Sequence, residues 1–210
     1  MNKRMIFLLF GLTLLFNQVS GQPFKKKFNY EAGSVTLKNG TILYGEVANM
    51  KHGFRDELLD RVRIKPSGKV FSKKYPPRKL LGYSMGGRRY VSWRVQQNNA
   101  LFKEMYTIHA GNQYKIFELQ QEGHLSIYLE YFIDDDLWIR SLPVFLKKDE
   151  LLMVRATQGL FGLKSKLLLD YFSDCTPLVE LIQEKKITTP EEVATFYNNW
   201  KEDQLIHNSK

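Results

Sequence analysis

Apolar and polar positions alternate through most of the first half of the chain. Ser34-Val35-Thr36-Leu37-Lys38 alternates, Asn39-Gly40 offers a turn, and Thr41 to Val47 returns. Asn-Gly between β-formers is a strong hairpin signal, because tight hairpin turns need residues at positive φ. Arg61 to Lys65 alternates again, Pro66-Ser67-Gly68 turns, and Lys69 to Ser72 reads as the returning strand. Lys79 to Tyr83 and Arg89 to Val95 read as two more strands joined at Gly86-Gly87. Five or six short antiparallel strands between residues 30 and 96 predict a small barrel or a rolled sheet.

Strands continue past residue 100. Met105 to Ile108, Tyr114 to Leu119 and Leu125 to Tyr131 fit the pattern, the last two joined at Glu122-Gly123. Asp134-Asp135-Asp136 reads as a turn. Trp138 to Arg140 and Pro143 to Leu146 extend the meander, and Lys148-Asp149-Glu150 turns into Leu151 to Arg155. The period then changes, with Leu160, Leu163, Leu167, Leu168, Tyr171 and Phe172 at helical spacing. Asp174 or Thr176 can cap a second helix with Leu178, Leu181 and Ile182 on its inner face. Thr189-Pro190-Glu191-Glu192 is a capping box, and Val193, Phe196, Tyr197 and Trp200 form a third apolar stripe behind it. The expected class is therefore α+β: a small antiparallel β-barrel or rolled sheet, then a β-meander and three C-terminal helices. The expected division is a basic β domain over 22–100, meander plus helices over 101–203, and a tail fraying over 204–210.

The N-terminus changes the setting. Lys3 and Arg4 precede the apolar run Met5 to Phe16, and Val19-Ser20-Gly21 follows with the small side chains that signal cleavage needs. The apolar run is too short to span a bilayer, which takes about 20 residues. Residues 1–21 read as a cleavable secretory signal, placing the mature chain in the periplasm, at the outer membrane or outside the cell. No later segment reaches membrane-spanning length. Cys175 is the only cysteine, so an exported chain must draw its stability from its core and not from an internal disulfide.

Charge is divided unevenly. The net charge is +9, and residues 22–100 carry 17 Lys and Arg against 5 Asp and Glu, whereas residues 101–210 carry 12 against 17. In the basic half Lys73, Lys74, Arg78, Lys79, Arg88 and Arg89 interleave with Tyr90 and Trp93, and these are the candidate binding residues. Basic stretches with stacking aromatics can hold single-stranded nucleic acid. Export argues against that partner and for an acidic glycan, lipopolysaccharide or an acidic protein surface.

Gly82-Tyr83-Ser84-Met85-Gly86 matches G-x-S-x-G and resembles the nucleophile elbow of lipases and esterases. A hydrolase would find its partners at Asp170 or Asp174 and His207. The context differs: Pro76-Pro77 stands where a buried strand should lead in, and Arg88 to Trp93 alternates where a helix should follow. The expectation is a glycine-rich β-turn and no catalytic residue. His52, His109, His124 and His207 lack metal-ligand spacing, and Asp134-Asp135-Asp136 lacks the glycine and distal glutamate of a calcium loop. No metal or cofactor is expected.

Three blocks resemble a family of uncharacterised exported proteins of Gram-negative bacteria. They are Gly33 to Val47 with its Leu-Lys-Asn-Gly-Thr, Pro77 to Tyr83 with Tyr90-Val91-Ser92, and Tyr171 to Cys175 with Leu178, Ile182 and Tyr197-Asn198-Asn199. Such proteins often carry cysteine where Trp200 stands, so a pairing with Cys175 is absent here. The resemblance implies export, no known reaction, and Ser84 at a strand–turn. The expected function is non-enzymatic binding or envelope association through a basic β surface. The alternatives are a serine hydrolase using Ser84 and a structural subunit of an envelope assembly.

Overall fold

The computed structural model describes residues 28–49, 61–98, 105–133, 139–158 and 162–208. The signal at 1–21, His52, the Asp134–Asp136 turn and Leu160 lie outside the described residues. The first alternating segments form β1 (Glu31–Leu37) and β2 (Ile42–Ala48), with Val35 opposite Leu43. Their turn departs from the expected two-residue form. The Gly40 N–H donates to the Leu37 carbonyl at 2.9 Å, and Gly40 takes φ 84° while Asn39 does not enter positive φ. The Asn39 side-chain oxygen instead accepts from the Thr41 N–H. One left-handed residue suffices because the connection is the three-residue kind.

β3 (Val62–Pro66) and β4 (Lys73–Tyr75) add to the free edge of β2. A 3-10 turn at Pro77–Lys79 leads into β5 (Leu80–Met85), which pairs with the other edge of β1. One face of this sheet buries Val35, Val47, Val62, Ile64, Leu80, Tyr83 and Met85.

β6 (Arg88–Asn98) then pairs with β5 through Gly82 opposite Val91. The remaining strands are β7 (Met105–Ile108), β8 (Gln113–Gln121), β9 (Leu125–Ile133), β10 (Ile139–Lys147) and β11 (Leu152–Arg155). The order β6-β7-β11-β10-β9-β8 closes back onto β6, giving a six-stranded antiparallel barrel. Closure thus lies among the strands expected as a meander, not within residues 30 to 96. The reason is the length of β6, which uses one edge for β8 and shares the other between β5 and β7. Among the described residues the N-terminal strands form an open extension ending at β4, and β6 belongs to both halves of the expected division.

Side chains fill the barrel: Val95, Tyr106, Ile108, Phe117, Tyr128, Val144, Leu146 and Met153. Among them Glu130 accepts the Tyr106 hydroxyl at 2.6 Å, pairs with the Lys115 ammonium, and faces the Arg155 guanidinium at 3.5 Å. Buried charge is tolerated where opposite charge and donors surround it.

Helices α1 (Ser165–Tyr171), α2 (Thr176–Gln183) and α3 (Pro190–Asn208) follow. Leu168, Phe172, Leu178, Val193 and Tyr197 pack on Leu125, Ile127, Phe145 and Val154 of the barrel. α1 starts later than its stripe, because Leu163 is bridged to Thr157. The Thr189–Glu192 capping box forms in both directions. Neither Asp174 nor Thr176 caps α2, where Cys175 holds the N-cap position without a side-chain bond. α3 continues through Gln204 to Asn208 where fraying was expected, since Lys201 to His207 contains no helix breaker.

Asp174 is committed elsewhere. It accepts from Lys147 Nζ at 2.8 Å and from the Tyr197 hydroxyl at 2.7 Å. Lys147 is buried, also donates to the Tyr171 carbonyl at 2.7 Å, and lies 4.7 to 5.6 Å from the ring centres of Tyr171, Phe172 and Tyr197. One lysine on β10 therefore joins α1, the turn after it and α3 to the barrel. Burial pushes the Asp174 carboxyl up, but the hydrogen bonds from Lys147 and Tyr197 and the charges of Lys147 and Lys201 outweigh it and hold it below the usual range. A carboxyl depressed on folding stabilises above its unfolded pKa of about 3.9, and that contribution is lost as pH falls through the folded value. Below about pH 4, unfolding free energy should thus fall more steeply with acid in the wild type than in Asp174→Asn. Lys147→Ala should cost about 3 kcal/mol in denaturant unfolding at neutral pH, through the broken pair and the emptied aromatic cage.

Candidate functional site

Ser84 lies in β5, an antiparallel strand, between buried Tyr83 and Met85 and facing the other way. Its hydroxyl is 3.0 Å from the Ser34 hydroxyl and accepts the Ser34 backbone N–H at 3.0 Å. Gly86 and Gly87, at φ 57° and 79°, form a two-residue hairpin turn that brings Met85 opposite Arg88, so strand and not helix follows. A Cβ on Gly82 would sit 2.4 Å from the Tyr90 carbonyl oxygen, so glycine is needed there for β5 to approach β6. Each glycine of the motif therefore has a backbone reason that involves no nucleophile. Asp170 on α1 and His207 near the end of α3 are both exposed, and the hydrogen bonds of Ser84 run to Ser34, not to them.

The eight residues expected to bind separate into two groups. Tyr90 is buried and stacks on Tyr83 at 4.4 Å, while the Tyr83 hydroxyl accepts from the Asn49 side chain at 2.9 Å. Burial, and after it the charge of Glu118, raises the Tyr90 phenol far above its ordinary value, so it stays protonated. Trp93 faces the barrel interior against Phe117 and Tyr128. Arg88 pairs with Glu31 at 3.1 Å and Arg89 with Glu122 at 2.8 Å. The fold thus does not assemble the aromatic-lined basic groove the sequence suggested. Successive residues of β6 point to opposite faces, the two aromatic rings lie in different cores, and the two arginines meet carboxylates.

Lys73, Lys74, Arg78 and Lys79 remain, close in sequence. They occupy β4, the open edge of the sheet, and the 3-10 turn after it, all exposed and in no ion pair among the described residues. Sequence reading missed what stands beside them. Ser67 to Lys74 are all exposed, and within them Val70 is 81% and Phe71 85% accessible. The stretch read as a returning strand from Lys69 is a loop up to Ser72, because β4 starts only at Lys73. A signal was present in the charge pattern, for Arg61 to Lys103 holds twelve Lys and Arg and no Asp or Glu.

The loop is held at its base. Lys69 N–H donates to the Pro66 carbonyl at 2.9 Å, and Ser67 N–H donates to the Tyr44 carbonyl at 3.0 Å. Beneath it opens a cleft of about 550 Å³ lined by Phe28, Tyr30, Glu46, Lys65, Val70 and Ser72. The Arg63 guanidinium lies 3.9 Å over the Phe28 ring, and Lys65 pairs with Glu46 at 3.5 Å. Among the described residues no group of three or more His, Cys, Asp or Glu could hold a metal, and no helix is long and apolar enough to cross a membrane. Cys175 is fully buried, and burial raises its thiol. No family model matches the chain, nor does any curated protein or solved structure.

Ser84→Ala should cost no more than about 1 kcal/mol, the worth of one hydrogen bond to Ser34, as read by thermal unfolding. A fluorophosphonate probe should leave the wild type unlabelled. Labelling that disappears in Ser84→Ala would restore the nucleophile.

Proposed function

We propose that the protein is an exported, non-enzymatic binding protein of the bacterial envelope, and that its contact surface is the basic open edge of the N-terminal sheet. One observation carries this reading: Lys73, Lys74, Arg78 and Lys79, within seven residues of one another, are all exposed with no carboxylate partner among the described residues. Clustered cations repel one another and raise the local potential, so such a patch gains most from an acidic partner. Lysine supplies point charges and arginine a planar fork, a combination suited to phosphate, sulfate and carboxylate groups. The signal-like residues 1–21 and the resemblance to exported bacterial proteins support an envelope setting, where acidic glycans, lipopolysaccharide and acidic protein surfaces occur. Export weighs against nucleic acid. The pairing of Ser84 with Ser34 favours binding over hydrolysis.

Retention on an immobilised acidic glycan at about 0.15 M salt, where surface charges are well screened, tests the reading. The wild type should bind, and the combined variant Lys73→Glu, Lys74→Glu, Arg78→Glu and Lys79→Glu should lose about tenfold or more in affinity. Equal binding by the two, or by wild type and an unrelated protein of the same net charge, overturns it.

A further inference from the structure

Resting on that reading of the basic edge, we propose that the β3–β4 loop is a wedge that docks the protein on an anionic lipid surface. Val70 and Phe71 enter the headgroup–acyl boundary, and Lys69, Lys73 and Lys74 engage lipid phosphates around them. Single exposed apolar residues are ordinary on protein surfaces. Here two adjacent ones are more than four-fifths accessible at the tip of a hairpin, where folding places them in water with nothing gained. Lysines flank them on both sides, and no Asp or Glu occurs from Ser67 to Lys79.

The geometry suits a bilayer. The stem is rigid, because Val62 and Ile64 of β3 are fully buried and pair with Tyr75 and Lys73. The base is tied to the Tyr44 carbonyl, and the Tyr44 side chain beside it is 66% accessible, an amphipathic ring of the kind that favours membrane interfaces. A bilayer offers apolar depth and, at its rim, a dense layer of phosphates. The loop offers the complementary order, an apolar tip with cations one to three residues behind it. A groove on a protein partner would take Phe71 equally well but would not call for cations on both flanks. Each lysine near an anionic surface contributes about 1 kcal/mol.

Co-sedimentation with vesicles tests the wedge. The wild type should bind vesicles containing phosphatidylglycerol and not vesicles of phosphatidylcholine alone. Val70→Ser with Phe71→Ser should lower vesicle partitioning about tenfold or more, with retention on the acidic glycan unchanged. Both side chains are almost fully exposed, so the double variant should unfold at the wild-type temperature. Phe71→Trp should give a blue-shifted emission difference with the anionic vesicles only. Glycan binding without vesicle binding overturns the wedge and leaves the basic-edge reading standing, as does vesicle binding undiminished in the double serine variant. Absence of both kinds of binding overturns the two together.

Discussion

The fold depends on β6 being hydrogen-bonded along both edges. One edge runs against β8 from Arg89 to Val95, while the other serves β5 near Tyr90 and β7 from Val95 onward. Between Tyr90 and Val95 this strand contributes side chains to two cores, one on each face. Tyr90 and Ser92 point into the core of the N-terminal sheet, whereas Trp93 and Val95 point into the barrel. A slip of one residue would exchange the two sets, so both cores hold the same register. The parity of β6 also sends Arg88 and Arg89 to opposite faces, where each meets its own carboxylate.

Among the described residues three charged side chains are buried. Glu118, opposite Tyr90, accepts the Tyr131 hydroxyl at 2.7 Å where the N-terminal sheet meets the barrel. Glu130 gathers Tyr106, Lys115 and Arg155 inside the barrel. Lys147 ties β10 to the helices. A buried charge adds little net stability compared with a well-packed apolar residue, but it penalises every arrangement that leaves it unpaired. Without a disulfide, such penalties help specify how three packed layers sit on one another.

Period-two alternation made most strands legible, and the change to helical spacing marked where the sheet ends. What alternation cannot supply is pairing between strands distant in sequence. β1 with β5, β7 with β11 and β6 with β8 are such pairs, and the last two decide where the barrel closes. The same limit applied to the candidate site. Tyr90 and Trp93 resemble exposed stacking residues until each is placed in its own core, on opposite faces of β6. Glu31 and Glu122 lie 57 and 33 residues from the arginines they neutralise. Gly82 and Gly86 matched a catalytic motif because a tight hairpin and a close strand approach need the same residue type as a nucleophile elbow.

The residues left at the open edge have a competing explanation that applies to only some of them. An edge strand invites pairing with another chain, and lysines on a short edge strand discourage it. Lys73 and Lys74 on three-residue β4 answer that need without any ligand. The explanation does not extend to Val70 and Phe71, because an exposed phenylalanine beside an open edge promotes the association that the lysines oppose. Protection of the edge would place a charge or proline there. The apolar pair is therefore what separates a merely solvated basic margin from a surface built to meet something, and the two side chains outweigh the more numerous charges in deciding between them.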